Sequence, residues 1–180
     1  MYGYVGRVNA DKGINELITA FKDVKRTQDN AFLVLVGMLD EANPITKENL
    51  HYAQQATDVV LTGNVPTDQV YAHMAMFDVL THPTYREGFG KVLQEAMGMR
   101  LPIITTNVPG PSEVVEGGVS ALLVEAMNSA DLAEKMQTVY EDVALRERIA
   151  AAGRLRAETY FDRPIMLNNI LLDMNKIVCE

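Results

Sequence analysis

The feature that most constrains the fold of this sequence is a series of short apolar runs, each followed by a turn signal and a segment of helical periodicity. The six runs lie at 2–5, 32–36, 59–61, 77–80, 102–104 and 121–124. They are nearly continuously apolar instead of alternating, which is typical of strands covered by helices on both faces. Strands that alternate with helices predict βαβ units with right-handed crossovers and a parallel sheet. We therefore expect an α/β fold, a Rossmann-like three-layer α/β/α sandwich.

Apolar residues at helical spacing mark the segments between these runs, and the clearest are 14–21, 70–74, 92–97 and 132–139. The strand-like runs stop after Val124. Residues 129–177 therefore predict C-terminal helices only, with breaks near Asp142 and at 162–164. No fixed-period repeat or low-complexity linker divides the chain. We expect one domain over 1–180, a length that suits a single core.

Composition excludes several classes of function. A net charge of −8 argues against sequence-independent binding of a phosphate polymer, so we expect no nucleic-acid partner. The single cysteine, Cys179, excludes an intramolecular disulfide framework and a cysteine-clustered metal site. No apolar stretch approaches the ~20 residues that span a bilayer, and the N-terminus lacks the basic and apolar regions of a secretory signal.

In open α/β sheets ligands bind outside the carboxyl ends of the strands, which directs attention to the loops that follow them. The loop after the first run, 6–13, carries Arg7 and Lys12 between two glycines. Arginine offers a planar donor fork and lysine a compact charge, a combination suited to a diphosphate. The alternative is that both cations are solvated loop charges and that Asp11 caps the following helix.

The loop after the fourth run is the most informative stretch of the sequence. Glu87 precedes a glycine-flanked turn, and Glu95 lies in the helix that we expect to begin at Gly88. The unpaired amides of Gly88 to Lys91, at the positive end of the helix dipole, predict a phosphate site. The two carboxylates would then take hydroxyl groups on either side of that phosphate, as in a nucleotide sugar. The alternative is that Glu87 only caps the helix and Glu95 is a solvated helix residue.

These residues carry a resemblance to a known family. The sequence resembles the C-terminal, nucleotide-sugar-binding domain of retaining glycosyltransferases with the GT-B fold, glycosyltransferase family 4. The matching segments are Gly6-Arg7 with Lys12-Gly13, Gly63-Asn64-Val65, Tyr85 to Gly90 with Glu95-Ala96, Leu101 to Ile104, Gly110 with Glu113 to Val115, and Ala121 to Val124. The sequence of residues 109–113 most resembles the corresponding segment in enzymes of bacterial capsule, O-antigen and lipid-linked oligosaccharide assembly.

The resemblance implies a role for each site residue. The catalytic residues it implies are Glu87, Arg7 and Lys12, and the donor-binding residues are Gly6, Asn64, Val65, Gly88, Phe89, Gly90, Lys91 and Glu95. The two cations would grip the donor diphosphate, with Glu87 at the donor sugar and Glu95 at the ribose hydroxyls. The backbone amides of Phe89 to Lys91 would meet the distal phosphate and sugar. Residues 63–65 would lie against the base.

The partners implied are a nucleotide diphosphate sugar, a UDP-sugar being favoured, and a glycan or lipid-linked saccharide acceptor. The acceptor would sit in the enzyme's own N-terminal domain, which is absent from this chain, so the chain alone would not turn over. We expect no cofactor and no metal, since no Asp-x-Asp motif occurs and His51, His73 and His82 lack metal-ligand spacing. The resemblance also implies a cytoplasmic enzyme, or one peripheral at the inner face of the membrane.

Two other functions remain open from the residues alone. A non-catalytic, Rossmann-type nucleotide-binding module would need Arg7, Lys12 and the amides, and would tolerate the loss of Glu87. An epimerase of GT-B fold would share the architecture and would interconvert a sugar nucleotide without an acceptor. The base, the donor sugar and the acceptor cannot be read from the sequence.

Overall fold

The chain folds into one parallel sheet with helices on both faces, as its apolar pattern predicts. The computed structural model describes residues 1–162, 164–167 and 171. Its strands are β1 Tyr2–Val5, β2 Leu33–Val36, β3 Val59–Gly63, β4 Val79–His82, β5 Ile103–Thr106 and β6 Leu122–Val124. All six predicted runs are strands, with ends shifted by one or two residues. The sheet order is β3-β2-β1-β4-β5-β6, and every pair is parallel.

The helices with fully described bounds are α1 Ile14–Lys25, α2 Lys47–Gln55, α3 Thr67–Met74, α4 Lys91–Gly98, α5 Pro111–Val114, α6 Ser129–Glu141 and α7 Val143–Arg156. A short 3₁₀ helix precedes α1, and a π-helical turn, Ala157–Phe161, follows α7. The predicted break at Asp142 is confirmed, because this residue caps α7 by accepting the N–H of Leu145. The predicted break at 162–164 and the expected helix to 177 lie partly outside the described residues.

The position of helix α2 was not identified from the sequence, and its composition explains why. Within Lys47–Gln55 only Asn49 and Ala53 are buried, so no apolar stripe marks the segment as helical. Its start is fixed by Thr46, whose hydroxyl accepts the N–H of Asn49 at 3.3 Å. Polar capping and local hydrogen bonds, instead of a buried face, define this helix.

The two faces of the sheet pack against different helices and form two apolar clusters. Alternate strand residues such as Tyr4 and Leu35 join α1 and α6 on one face, while Val34 and Leu80 join α3 and α4 on the other. Right-handed crossovers place the helices this way, since the chain moves outward through β2 and β3 and then returns to β4 beside β1. No helix in the described part of the chain has both the length and the apolarity to cross a membrane.

Candidate functional site

The chain reverses its direction across the sheet between β1 and β4, which makes this the expected ligand crevice. The two strands pair only through Tyr2 with Val79 and Gly3 with Leu80. Beyond these pairs their carboxyl ends lie side by side, and the loops after β1 and after β4 face each other. The two loops that the sequence singled out therefore meet at the centre of the sheet.

A glycine brings the two loops into backbone contact. Gly13 has a φ of 67°, and a Cβ at this position would lie 1.9 Å from the carbonyl oxygen of Pro83. Only glycine combines this left-handed conformation with so close an approach. The 3₁₀ turn before it, Ala10–Lys12, is capped by Asn9, whose side-chain oxygen accepts the N–H of Lys12 at 3.0 Å. Lys12 is thereby held at the wall of the crevice.

The alternative that Asp11 caps the first helix is wrong. Asn9 caps the 3₁₀ turn, and Gly13 begins α1 without a side-chain cap. Asp11 instead binds Arg86 across the crevice, with an Oδ2 to Nη2 distance of 2.7 Å, and its backbone oxygen accepts the N–H of Tyr85 at 2.8 Å. These bonds connect the β1 loop to the β4 loop.

Lys12, Glu87 and His82 form the centre of the crevice. The Nζ of Lys12 lies 2.6 Å from Oε2 of Glu87, and Nε2 of His82 lies 3.4 Å from the same oxygen. The Lys12 and Glu87 side chains are 17% and 23% exposed, whereas His82 is buried at 2%. The ammonium of Lys12 and the imidazole of His82 thus converge on one carboxylate oxygen of Glu87.

The charges of this cluster follow from its environment. The bond from His82, followed by Lys12, lowers the pKa of Glu87 from 4.5 to about 2, against the opposing effect of burial. Burial lowers the pKa of His82, and its bond to Glu87 opposes this shift. A neutral imidazole protonated on Nε2 donates to Glu87 and leaves an acceptor lone pair on the buried Nδ1. Glu87 is therefore a stable anion at neutral pH.

The buried side chain of Tyr4 packs against this cluster. Its ring stacks on the imidazole of His82 at 5.6 Å with an interplanar angle of 10°. Its hydroxyl donates to the backbone oxygen of Arg7 at 2.7 Å. Burial, with the charge of Glu87 acting in the same direction, raises the pKa of Tyr4, so the hydroxyl keeps its proton and remains a donor. One buried side chain therefore fixes both His82 and the start of the β1 loop.

Arg7, the second predicted cation, is held by a residue that the sequence did not single out. Its Nη1 lies 3.2 Å from Oδ2 of Asp40, in the loop after β2. The Arg7 side chain is 68% exposed and Asp40 only 15%. The predicted residue Gly6 begins this loop, and its N–H donates to the backbone oxygen of Val36 at 2.9 Å. The backbone before Arg7 is therefore anchored to β2, and the exposed Arg7 side chain lies at the edge of the crevice.

The helix after Glu87 begins at Lys91 and not at Gly88 as expected. Gly90 has a φ of 67°, which is incompatible with a right-handed helix and delays the first turn. Gly88 and Phe89 therefore lie in the loop, where the N–H of Gly88 donates to Oε1 of its neighbour Glu87 at 3.2 Å. The alternative that Glu87 only caps the helix is also wrong, because α4 has no side-chain cap.

The ring of Phe89 is half exposed and meets Phe161 edge to face, with ring centroids 6.3 Å apart. Gly110 packs behind the same loop at a φ of 89°, where a Cβ would lie 2.4 Å from the carbonyl oxygen of Glu87. The loop that presents Glu87 is thus held between the end of the C-terminal helices and the loop after β5.

Glu95 lies away from the central cluster, in its own groove. Its Oε1 accepts the hydroxyl proton of Tyr71 from α3 at 3.2 Å and lies 3.7 Å from Nζ of Lys91. Its side chain is 22% exposed, so it is not the freely solvated helix residue of the alternative interpretation. A groove of about 510 Å³ opens beside it, lined by Tyr71, Lys91, Gln94, Glu95, Gly98, Arg154, Ala157, Glu158, Phe161 and Asp162.

Asn64 and Val65 follow the edge strand β3 and stay apart from the central cluster. Asn64 is exposed, and Val65 packs against the apolar cluster on the α3 and α4 face. Their position at the start of α3 puts them on the same face of the sheet as Glu95. The structure therefore brings Lys12 and Glu87 together at the centre, while Asp40 holds Arg7 on the β2 side of the same loop. The segment expected to contact the base, Asn64 and Val65, follows the edge strand.

Comparison with known proteins places this geometry in a family. The chain matches the family "Glycosyl transferases group 1" over residues 1–156. It is 38% identical over 164 residues to the capsular polysaccharide biosynthesis glycosyltransferase CapM of Staphylococcus aureus, a match that covers 91% of this chain and 43% of CapM. The chain thus spans less than half the length of this relative.

Solved structures share the fold. The C-terminal domain of the glycosyl transferase LpcC from Francisella tularensis superposes with a TM-score of 0.83 at 23% identity, over 90% of this chain and 86% of that domain. Anabaena HepE in complex with UDP and glucose gives a TM-score of 0.82 at 25% identity, over 97% of this chain and 47% of HepE. The family match and the identity to CapM together show that the chain belongs to the group 1 glycosyl transferases.

Proposed function

We propose that this chain is the donor-binding domain of a retaining glycosyltransferase of family 4, which transfers a sugar from a nucleoside diphosphate sugar to a glycan or lipid-linked saccharide. The observation that carries the proposal is the contact of Lys12 with Glu87 at the crevice between β1 and β4, with Arg7 in the same β1 loop and held by Asp40. Membership of the group 1 family favours this function over a non-catalytic module or an epimerase. A UDP-sugar is the favoured donor, supported by the UDP complex of HepE.

The proposed chemistry is stabilisation of a departing diphosphate. When the glycosidic bond to the nucleotide breaks, negative charge grows on the leaving group and positive charge grows on the sugar. Preorganised cations and amides aimed at the leaving group lower the barrier most. We assign this role to Arg7, Lys12 and the amides of Phe89 to Lys91. Because these groups supply positive potential themselves, the proposal needs no metal or other cofactor.

The carboxylates take the hydroxyl groups. Glu87 lies at the centre of the crevice and is ionised at neutral pH, which suits a contact to the donor sugar. Glu95 lies one turn along α4 in its own groove, and we assign it to the ribose. Asn64 and Val65, at the end of β3, would lie against the base, and Gly6 and Gly88 would let the backbone approach the phosphates.

The proposal also includes a binding site for the acceptor. We place this site in a separate N-terminal domain, as the family 4 resemblance implies. The isolated chain would then bind donor without turnover, and the whole enzyme would act in the cytoplasm, or at the inner face of the membrane. Retention is assigned from the family 4 resemblance, and the anomeric configuration of the full enzyme's product, read by NMR, tests it.

Calorimetry of the 180-residue chain tests donor binding. The chain is titrated with UDP, GDP and ADP, with the corresponding nucleoside monophosphates for comparison, and then with the nucleoside diphosphate sugars. A charge-assisted hydrogen bond contributes about 1.5–3 kcal/mol, so Lys12→Ala should weaken the preferred diphosphate roughly tenfold to hundredfold. Arg26→Ala, which removes an exposed cation at the opposite end of α1, is the control and should change nothing. Equal losses for mono- and diphosphates, or no binding of any nucleotide, would refute the proposal.

A further inference from the structure

The loop after β2 continues to pair with the loop after β1 beyond the ends of both strands. The N–H of Val8 donates to the backbone oxygen of Met38 at 2.9 Å, and the N–H of Asp40 donates to Val8 at 3.1 Å. Val8 and Leu39 form a parallel bridge between the loops. This pairing sets Asp40 beside the β1 loop by backbone bonds that do not depend on its own side chain.

The Asp40 carboxylate is fully engaged and mostly buried. Its Oδ2 accepts from Asn9 Nδ2 at 3.0 Å and from Arg7 Nη1 at 3.2 Å, and its Oδ1 accepts the N–H of Ala42 at 3.0 Å. The bond from Asn9, followed by that from Ala42, lowers the pKa of Asp40, which keeps it an anion. A fixed, ionised carboxylate therefore meets the exposed guanidinium of Arg7.

Asn9 joins this contact to the second cation. It is buried, with 3% of its surface exposed, and its side-chain oxygen accepts the backbone N–H of Lys12 while its Nδ2 donates to Asp40. The two opposite partners fix the orientation of the amide. Asp40 and Asn9 thus form one network that connects the guanidinium of Arg7 to the backbone that carries Lys12.

We propose that Asp40 is a positioning residue that orients Arg7 for the diphosphate of the donor. This inference rests on the proposed function, which assigns Arg7 to that diphosphate. A guanidinium presents five N–H donors, so the single bond from Nη1 to Asp40 leaves other donors for a phosphate. Without Asp40 the exposed side chain of Arg7 would sample many rotamers, and binding would have to order it.

Simple electrostatics predicts the opposite sign, which makes the proposal testable. Asp40 is a negative charge next to a site for an anion, so its removal would strengthen diphosphate binding if only its charge mattered. If Asp40 orients Arg7, its removal weakens binding although a repulsive charge has gone. The adjacent Glu41 is exposed and provides a control with the same loss of one negative charge.

The experiment is a double-mutant cycle in UDP binding, measured by calorimetry on the 180-residue chain. Asp40→Asn should weaken UDP about three- to tenfold, the range expected for losing one partly exposed orienting contact. Glu41→Gln should bind UDP as tightly as the wild type, or slightly more tightly. In the Arg7→Ala background, Asp40→Asn should cause no further weakening, because its effect acts through Arg7.

Two results would overturn the inference. Asp40→Asn could bind UDP as tightly as the wild type or more tightly, or it could weaken binding equally with and without Arg7. Thermal denaturation verifies that the variants fold; if Asp40→Asn unfolds, Asp40→Ser retains an acceptor for the Ala42 N–H and takes its place in the same cycle. A different result, in which Arg7→Ala leaves UDP binding unchanged, would instead refute the diphosphate assignment of the proposed function.

Discussion

The ammonium of Lys12 lies 2.6 Å from a carboxylate oxygen of Glu87, which joins the cation assigned to the donor diphosphate to the anion assigned to the donor sugar. A diphosphate that approaches Lys12 therefore competes with Glu87 for the same cation and also meets its negative charge. A complete donor carries a sugar that offers Glu87 hydroxyl groups in exchange. Under these assignments, the pair would favour the sugar-bearing nucleotide over the bare one.

The first prediction concerns Glu87→Gln, which frees Lys12 and removes the repulsive charge. Bare UDP should bind about three- to tenfold more tightly, since partly exposed charges a few ångströms apart interact by about 1 kcal/mol. The preference for a UDP-sugar over UDP should fall, and kcat of the full enzyme should fall more than KM rises. Calorimetry with both ligands measures this, with exposed Glu141→Gln as the control. Weaker binding of bare UDP would show that Glu87 contacts the nucleotide itself.

The second prediction is a pH dependence of stability. The pKa of Glu87 is lowered from 4.5 to about 2 in the folded chain, so its ionised form stabilises the fold. This contribution is complete above about 4.5 and is lost as the pH falls through about 2. Glu87→Gln lacks this contribution but keeps His82 and Lys12. The difference in unfolding free energy between the two proteins should therefore shrink as the pH falls from about 4.5 to about 2. Urea denaturation at a series of pH values tests it, and a constant difference would contradict it.

The third prediction uses two glycines with similar φ angles and different surroundings. Gly118→Ala meets open space at a φ of 75° and should cost only the left-handed strain, about 1–2 kcal/mol. Gly110→Ala adds a clash with the carbonyl oxygen of Glu87 and should destabilise the chain further. It should also weaken donor binding, because it pushes on the loop that carries Glu87. If Gly110→Ala and Gly118→Ala destabilise the chain equally and Gly110→Ala leaves donor binding unchanged, Gly110 does not support the site.

The fourth prediction separates ribose recognition from phosphate recognition. Glu95→Gln should weaken UDP roughly tenfold or more, because a hydrogen bond to a charged group is lost. The same substitution should leave 2′,3′-dideoxy-UDP unaffected, since that ligand lacks the hydroxyl groups. Tyr71→Phe removes the hydrogen bond to Glu95 and should give a smaller loss for UDP. If Glu95→Gln weakens both ligands equally, Glu95 does not serve the ribose.

The fold was predictable because each strand contains or overlaps a short, nearly continuous apolar run. The central residues were predictable because they lie at the carboxyl ends of the strands or in the loops that follow. The start of α4 was not predictable. A glycine also suits a helix start, so the sequence does not reveal that Gly90 adopts a left-handed φ. Asp40 was missed because the loop after β2 has neither helical nor strand periodicity. Its contact to Arg7 depends on backbone pairing between loops that lie 33 residues apart.

The central position of β1 and β4 has a consequence for the order of folding. The segment from β1 to β3 can pair by itself, but the far edge of β1 stays open until β4, which lies beyond α3 in the chain, docks beside it. Lys12 and Glu87 are 75 residues apart, so the crevice is among the late, non-local contacts. Under the proposed function, nucleotide affinity would therefore report the docking of β4 beside β1. By mass action, saturating nucleotide should slow proteolysis of the whole domain and close the edge through which unfinished chains would associate.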